Sequence, residues 1–469
     1  MNRKNNKRVL VCVLAAGAGV HQQASAIDIN AAVRAIGSYQ LDGPADLGLL
    51  GGKSEDNFFL DVAPRVLIQI DNSWTGYLRG RAFLPTGSVV DTADTQINQQ
   101  RKVKSFVKLD EAWLQYNGLT NYPGESVRFG HQLMRQNDTT WISQDADAAQ
   151  WVVDTTLLKA NAGIVHQFSS YRSDGIPLPA SQRDRLYGFA TFSRDWSTEH
   201  SIGVRALHAS DLKNLPGVGS TVSESPKLED SNLTWIGLFA ENRYFERRRS
   251  KPVAYWADVT YLSGNTNVAT RGSGGFINNI RPQNISAVAS TVGVRVRPFE
   301  FPVAFGSAYA YSGGGGKSQY QQSGLQGNVT NFTGTPTSIY LYNSALGAEL
   351  GNLRVATAYA SYRTELYDAS LIYQNFQKDD ARVAITANRV VAATNGTSRD
   401  VGNGVDFVLS RYFRTLNTSG KLTDGADVVR QEPMSTVRLR ASIFDPGKAY
   451  GPGADLNYRV TLETILWWF

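Results

Sequence analysis

The side chains best equipped for chemistry in this chain are arginines placed at alternate positions among apolar residues. In WTGYLRGRAFL, Trp74, Leu78 and Leu84 share one face of an extended chain, which puts Arg79 and Arg81 with Tyr77 on the other. Val437 and Leu439 separate Arg438 and Arg440 in the same way, and Val33 and Ala35 flank Arg34. A guanidinium is planar, permanently charged and carries five donors, so it suits carboxylates that must be gripped two-pronged and then released. The same arginines could instead be closed off in internal ion pairs, with Asp61, Glu111 and Asp174 as partners. The residues by themselves leave both readings open.

Catalysis has little material to work with. The one cysteine, Cys12, lies in an N-terminal segment read below as a leader, so disulfides and cysteine metal sites are excluded from the mature chain. Its histidines, His131, His166, His200 and His208, have no GxSxG or HExxH pattern near them. The run Gly313 to Gly316 with Lys317 and Ser318 ends like a phosphate loop, but Tyr311 stands where that motif needs its first glycine and no helix-forming stretch follows. The expectation is a non-enzyme without cofactor, metal or nucleic-acid partner.

The elements that hold such arginines are strands. Met1 to Ala26 has a basic start, an apolar run VLVCVLAAGAGV and Ala24-Ser25-Ala26, the three parts of a secretory signal, leaving residues 27–469 as a single mature domain. The chain has 47 Lys+Arg against 41 Asp+Glu, and removal of the four basic leader residues leaves about +2, so overall charge argues for no particular partner. No run of 18 apolar residues could form a membrane helix. The final stretch LNYRVTLETILWWF is aromatic, alternating and free of Pro and Gly. Such an end would invite aggregation as a free edge, whereas in a closed membrane barrel it pairs with the first strand. Glu463 is the misfit, a poor residue for lipid.

Between leader and end, alternation marks nineteen strand candidates. They include Ala149–Leu157, Ala160–Tyr171, Thr337–Leu350, Arg354–Thr364, Ser370–Gln377 and Gly404–Phe413. A single-chain bacterial barrel needs an even number, which predicts an all-β, closed, antiparallel transmembrane barrel of 18 strands. Short turns such as Asp71-Asn72-Ser73 alternate with long polar loops at Pro85–Lys104, Asp211–Asp230, Gly264–Gln283 and Gly313–Pro336, which are expected outside the cell. Strand alternation puts the further long stretch Lys378–Asn403 on the periplasmic side. In such a barrel an arginine near the midplane avoids lipid, which would cost about 2–4 kcal/mol, and faces the lumen.

Four colinear pieces then narrow the reading. Tyr116 to Gly175 (YNGLTNYPGESVRFGHQLMRQNDTTWISQDADAAQ onward), QQSGLQGNVTNFTGT (Gln321–Thr335), YDASLIY (Tyr367–Tyr373) and EPMSTVRLRASIFDPGKAYGPGAD (Glu432–Asp455) resemble the bacterial alginate export family of the outer membrane. The resemblance implies a monomeric porin whose arginine-lined pore passes an acidic polyuronate outward, with a periplasmic export scaffold as partner. Carried over by position, Arg34 stands where the family has a lysine. Arg135, Asp174, Arg438 and Arg440 match family pore or near-pore residues, and Glu111 matches an acidic one. Elsewhere the pattern is broken. Ala63 replaces an arginine, with Arg65 two residues on and on the same face. Leu133, Asp110, Val329 and Ser338 replace four more arginines, and Ser143 replaces an aspartate. The candidate pore residues are therefore Arg34, Arg65, Arg79, Arg81, Glu111, Arg135, Asp174, Arg438 and Arg440. The competing reading is an anion-selective diffusion or uptake channel for small acidic solutes.

Overall fold

The computed structural model describes residues 27–468 except 44–55, 87–104, 222–227, 246–251, 415–433 and short breaks at 121, 123, 176–177, 179, 243, 273–274, 299–300, 316–318 and 391. The leader, most of Pro85–Lys104 and the terminal Phe469 thus lie outside the described residues. Alternating apolar and polar residues build β1 (Asp28–Asp42), β2 (Asp56–Gln69), β3 (Trp74–Thr86), β4 (Phe106–Tyr116), β5 (Glu125–Arg135), β6 (Ser143–Asp154), β7 (Leu158–His166), β8 (Arg185–Ser197), β9 (His200–Asp211) and β10 (Glu229–Glu241). The chain continues through β11 (Val253–Arg271), β12 (Ile277–Val296), β13 (Val303–Ser312), β16 (Leu353–Arg363), β17 (Tyr367–Lys378), β18 (Asp400–Arg414), β19 (Met434–Pro446) and β20 (Asn457–Trp468). Two short strands, β14 (Val329–Thr330) and β15 (Ile339–Tyr340), pair only with each other.

The other strands form one 18-stranded antiparallel sheet. It closes where β20 pairs with β1, from Val33 opposite Trp468 to Asp42 opposite Arg459. Closure removes both edges, so the wall strands pair with a neighbour on either side, as a hydrocarbon surrounding demands. The outer surface carries the apolar partners of the alternation. In β9, for example, Ile202 and Val204 face out and are exposed, while Arg205, Leu207 and Ala209 face in and are buried. In β20, Leu462, Leu466 and Trp468 face out. Glu463 therefore faces the lumen, which resolves its misfit.

Both described termini and the short turns share one end. The β2–β3 turn is tied by its own side chain, with the amides of Ser73 and Trp74 each donating to Asp71 Oδ1 at 2.7 Å. In bacterial barrels the end that carries the termini and the short turns is the periplasmic one, and the connections 242–252 and 415–433 join strands at that same end.

Three expectations change. Thr337–Leu350 is not a wall strand: it belongs to the connection between β13 and β16, residues 313–352, which turns into the barrel. The segment is apolar on both faces because it is buried on both, with Tyr340, Tyr342 and Leu346 at 5%, 3% and 0% exposure. Losing that strand restores the even count and reverses the side of Lys378–Asn403, whose connecting residues 379–399 leave the barrel at the long-loop end. The supposed loop Gly264–Gln283 is mostly strand, since β11 and β12 stay paired from Val253–Val296 up to Arg271–Ile277. A cysteine at exposed Thr397 should therefore react with an impermeant thiol reagent on intact cells, while one at exposed Asn72 should not. Labelling at Asn72 alone would reverse the orientation.

Candidate functional site

The lumen has two unlike halves, set by what the inward residues of each strand are. From β8 through β12 they are largely apolar: Tyr187, Leu207, Leu233, Trp235 and Leu262 are each 1% exposed or less. Water would not fill such a surface cheaply. The connection 313–352 covers it, with Tyr320, Leu325, Tyr342 and Leu346 in the same apolar cluster. Polar tips fix its course: Trp235 Nε1 donates to the Gln321 carbonyl at 2.8 Å and Tyr187 Oη to that of Ser323 at 3.1 Å. Near the short-turn end, Arg295 Nη1 donates to the carbonyls of Phe332 and Tyr244 at 2.8 Å each. Thr337 Oγ1 donates there to Asp368 Oδ2 at 3.0 Å. The inner loop thus runs down most of the barrel. Its β14–β15 pairing folds it back on itself, and contacts to residues 137–143 tie it to the β5–β6 connection: Ser143 N donates to Leu325 O at 2.6 Å and Thr330 Oγ1 to Asn137 O at 3.1 Å.

The opposite half, from β19 across the seam to β5, is charged. Asp61 of β2 lies 3.9 Å from Arg34 Nη2 and 3.0 Å from Arg81 Nε. Glu463 of β20 lies 3.3 Å from both Arg438 Nη1 and Arg440 Nε. Arg440 also donates through Nη1 to the Ser338 carbonyl of the inner loop at 3.0 Å, so the basic wall touches that loop directly. Arg79 is the most heavily paired, with Glu111 at 3.0 Å, Asp110 at 3.4 Å and Asp145 at 3.6 Å. A bulge makes this possible. The β3–β4 register steps from Arg79 opposite Glu111 to Gly80 opposite Leu109, leaving Asp110 extra, and two successive carboxylates turn inward. Glu111 serves the backbone as well, because β4 pairs with β5 only over Ala112–Tyr116. Its Oε2 accepts the Leu133 amide at 3.1 Å and Trp113 Nε1 at 3.2 Å.

Arg65 differs from these. Its guanidinium lies 4.5 Å from the ring centroid of Trp467, a cation–π contact across the seam, and among the described residues no carboxylate pairs with it. Seven of the nine predicted residues thus meet on one wall. Two stand apart. Arg135 ends β5 at the long-loop end, exposed, and donates to the Val329 carbonyl at 3.3 Å. Asp174 lies in the β7–β8 connection, where Arg172 holds it at 2.8 Å while stacking 3.6 Å over Phe106. The carboxylate thus positions Arg172, and Arg172 braces that connection against β4.

The sequence reading missed Lys108, which reaches Asp110 at 3.6 Å and Asp145 at 3.4 Å. The signal was present, since Val107 and Leu109 flank it as Val437 and Leu439 flank Arg438. Asp145 escapes the alternation because SQDADA is too polar to read as strand, which places the start of that strand at Ala149, whereas β6 begins at Ser143.

Glu463 offers a test of this wall. Glu463→Gln keeps the shape and leaves two guanidiniums with no shared anion. The side chains of Arg438 and Arg440 are 14% and 29% exposed, so water offsets part of the loss. The cost should be about 1–3 kcal/mol, below that of breaking a fully dry pair. The expected outcome is a lower temperature for conversion to the unfolded band on a heat-modifiability gel, together with a stronger preference for anions. Unaltered selectivity would place Glu463 off the ion path.

Comparison with known proteins adds the context. The family profile described as alginate export matches residues 28–460. The alginate production protein AlgE of Pseudomonas aeruginosa is 33% identical over 440 residues, spanning 90% of this chain and 89% of that protein. Its namesake in Pseudomonas syringae pv. tomato is 30% identical over 480 residues, with 96% and 94% covered. Among solved structures, Pseudomonas aeruginosa OpdK with vanillate covers 94% of this chain and 99% of its own at a TM-score of 0.54 and 11% identity. OccK2 (OpdF) of the same species, in complex with glucuronate, gives 0.52 at 11% identity with 94% and 99% covered. At that identity the likeness is one of fold.

Proposed function

The chain belongs to the alginate export family, and from that premise we propose that it passes an alginate-type polyuronate outward along the basic wall of its lumen. It is an outer-membrane channel and not an enzyme. The observation that carries the proposal is the concentration of Arg34, Arg65, Arg79, Arg81, Arg438 and Arg440 on the wall facing the inner loop. A mobile polyanion needs sites that are favourable yet weak, and carboxylates such as Asp61 and Glu463 beside the guanidiniums temper the grip. Arg135 and Asp174 contribute at the long-loop end, Arg135 as a further cation and Asp174 by holding the β7–β8 connection. One chain forms one pore, with residues 1–26 removed on export and a periplasmic scaffold meeting the short-turn end.

The second reading, a diffusion channel for small acidic solutes, is favoured by that same pairing, because five of the six wall arginines share carboxylates. Current block distinguishes the two. At low salt, micromolar polyuronate added at the periplasmic side should interrupt single-channel current, and a neutral dextran of equal length should not. Salt at about 1 M, with a screening length near 3 Å, should abolish the block. A pore indifferent to polyuronate but permeable to monouronates would establish the second reading.

A further inference from the structure

The connection between β17 and β18, residues 379–399, carries an arginine that neither the alternation of strands nor the family positions pointed to. This connection lies against the inner loop as a short ladder: Ala348 bridges Ala387, Glu349 N donates to Thr386 O at 2.9 Å, and Asn388 N donates to Gly347 O at 2.8 Å. Gly347 makes the approach possible. Its φ is +63°, and a Cβ there would meet Arg389 Cγ at 2.8 Å. Arg389 is fixed in place on that ladder. Its Nη1 donates to the Ser344 carbonyl at 2.5 Å, and its guanidinium carbon lies 5.5 Å from the ring centroid of Tyr340.

The nearby carboxylates are committed elsewhere. Asp42 takes Arg459 through both oxygens, at 2.7 and 3.0 Å, and Gln40 at 2.7 Å. Asp406 accepts Ser344 N at 3.0 Å and Asn343 Nδ2 at 3.2 Å. Among the described residues no carboxylate pairs with Arg389, although it is half-buried. Desolvation, reinforced by the charge of Arg459, pushes its pKa down to about 9, so it remains cationic at neutral pH with its charge poorly offset. An anion arriving from outside would supply what the protein withholds.

Its height in the barrel is fixed by the same contacts. Ala345 N donates to Ser442 Oγ, four residues below the long-loop end of β19, and Arg440 meets the inner loop lower, at Ser338. Arg389 lies beside the Arg459–Asp42 pair. We infer that Arg389 is a carboxylate-holding station at the outer end of the polyuronate path, above Arg440. This rests on the export reading, and it adds a specificity-determining residue on a connection that the wall strands do not include.

The test is block of single-channel current by a defined oligouronate added separately to each side, on full-length Arg389→Ala, Arg389→Gln and Arg389→Lys proteins. From the long-loop side, the association rate should fall about fivefold at low salt in Arg389→Ala and Arg389→Gln, and recover largely in Arg389→Lys. From the short-turn side it should change less than about twofold, because the first charges met there are unaltered. Gln can still donate to the Ser344 carbonyl, so a Gln variant with wild-type basal conductance and wild-type association rate would overturn the inference. Should Arg389→Ala loosen the inner loop, its open-channel conductance would rise, and the Gln and Lys variants would then decide the matter. A wild-type pore unblocked from either side would remove the export reading itself. Block that is indifferent to Arg389 removes only this station.

Discussion

A protein carrying both Arg438→Ala and Arg440→Ala should insert as a closed barrel and lose most of its preference for anions. Neither side chain takes part in the strand ladder, which keeps its register from Thr436–Ile465 to Phe444–Asn457. Lumen positions tolerate such changes better than lipid-facing ones. What changes is the local charge. Glu463, now held by both guanidiniums at 3.3 Å, would face the lumen alone. A unit charge a few ångströms from a passing ion is worth about 1 kcal/mol in water and more in a confined pore. Removing two cations and baring one anion should therefore cut the anion-to-cation permeability ratio by roughly an order of magnitude at low salt, and polyuronate block with it. Adding Glu463→Gln to the pair should restore part of the anion preference. An unchanged ratio in the double variant would mean that ions pass elsewhere in the lumen.

The larger structural effect should come from the inner loop. Replacing residues 320–350 by a short Gly-Ser linker should raise single-channel conductance by about an order of magnitude, since barrels of this strand number hold an aqueous channel unless filled. The deletion has a stability cost. It bares Leu207, Leu233, Trp235 and Leu262, now 0–1% exposed, and each is worth about 1.5–3 kcal/mol on burial. The truncated barrel should convert to its unfolded form at a distinctly lower temperature. Trp235→Ala alone, which removes the anchor to Gln321 O, should cost about 3–5 kcal/mol and make the current flicker. Conductance unaffected by the deletion would show that the loop is not what narrows the pore.

That loop also marks where the sequence stops being readable. Alternation located the wall strands because one face meets lipid, and the seam arginines followed from the same parity. It could not separate an apolar face turned to lipid from one turned to a packed interior. In β10, Leu233 and Trp235 are buried under the loop while Ile236 and Leu238 face out, so both faces look alike. Thr337–Leu350 imitates a strand for the same reason, although positive φ at Asn343 (+60°) and Gly347 (+63°) breaks it into turns. Asn343 then uses its side chain on the backbone amides of Ala345 and Leu346, at 3.1 and 2.9 Å. The one false strand also inverts the side assigned to 379–399, the connection that carries Arg389.

Pairing was legible only in part. Asp61 and Glu111 were foreseeable partners, since both lie inside strands that carry or adjoin arginines. The grouping of Asp110 with Glu111 depends on a bulge, and the union of Arg438, Arg440 and Glu463 depends on the register across β19 and β20. Register over such distances is a property of closure, which no local pattern encodes.

On this reading the lumen carries a net positive field in spite of its carboxylates. The sign of that field sets the reversal potential of the purified wild-type protein in a planar bilayer under a tenfold potassium chloride gradient, measured first at low and then at high mean salt. The potential should have the sign for chloride preference, large at low salt and shrinking toward zero as the charges are screened. A potential of the opposite sign at low salt would mean that the carboxylates, not the guanidiniums, govern the lumen.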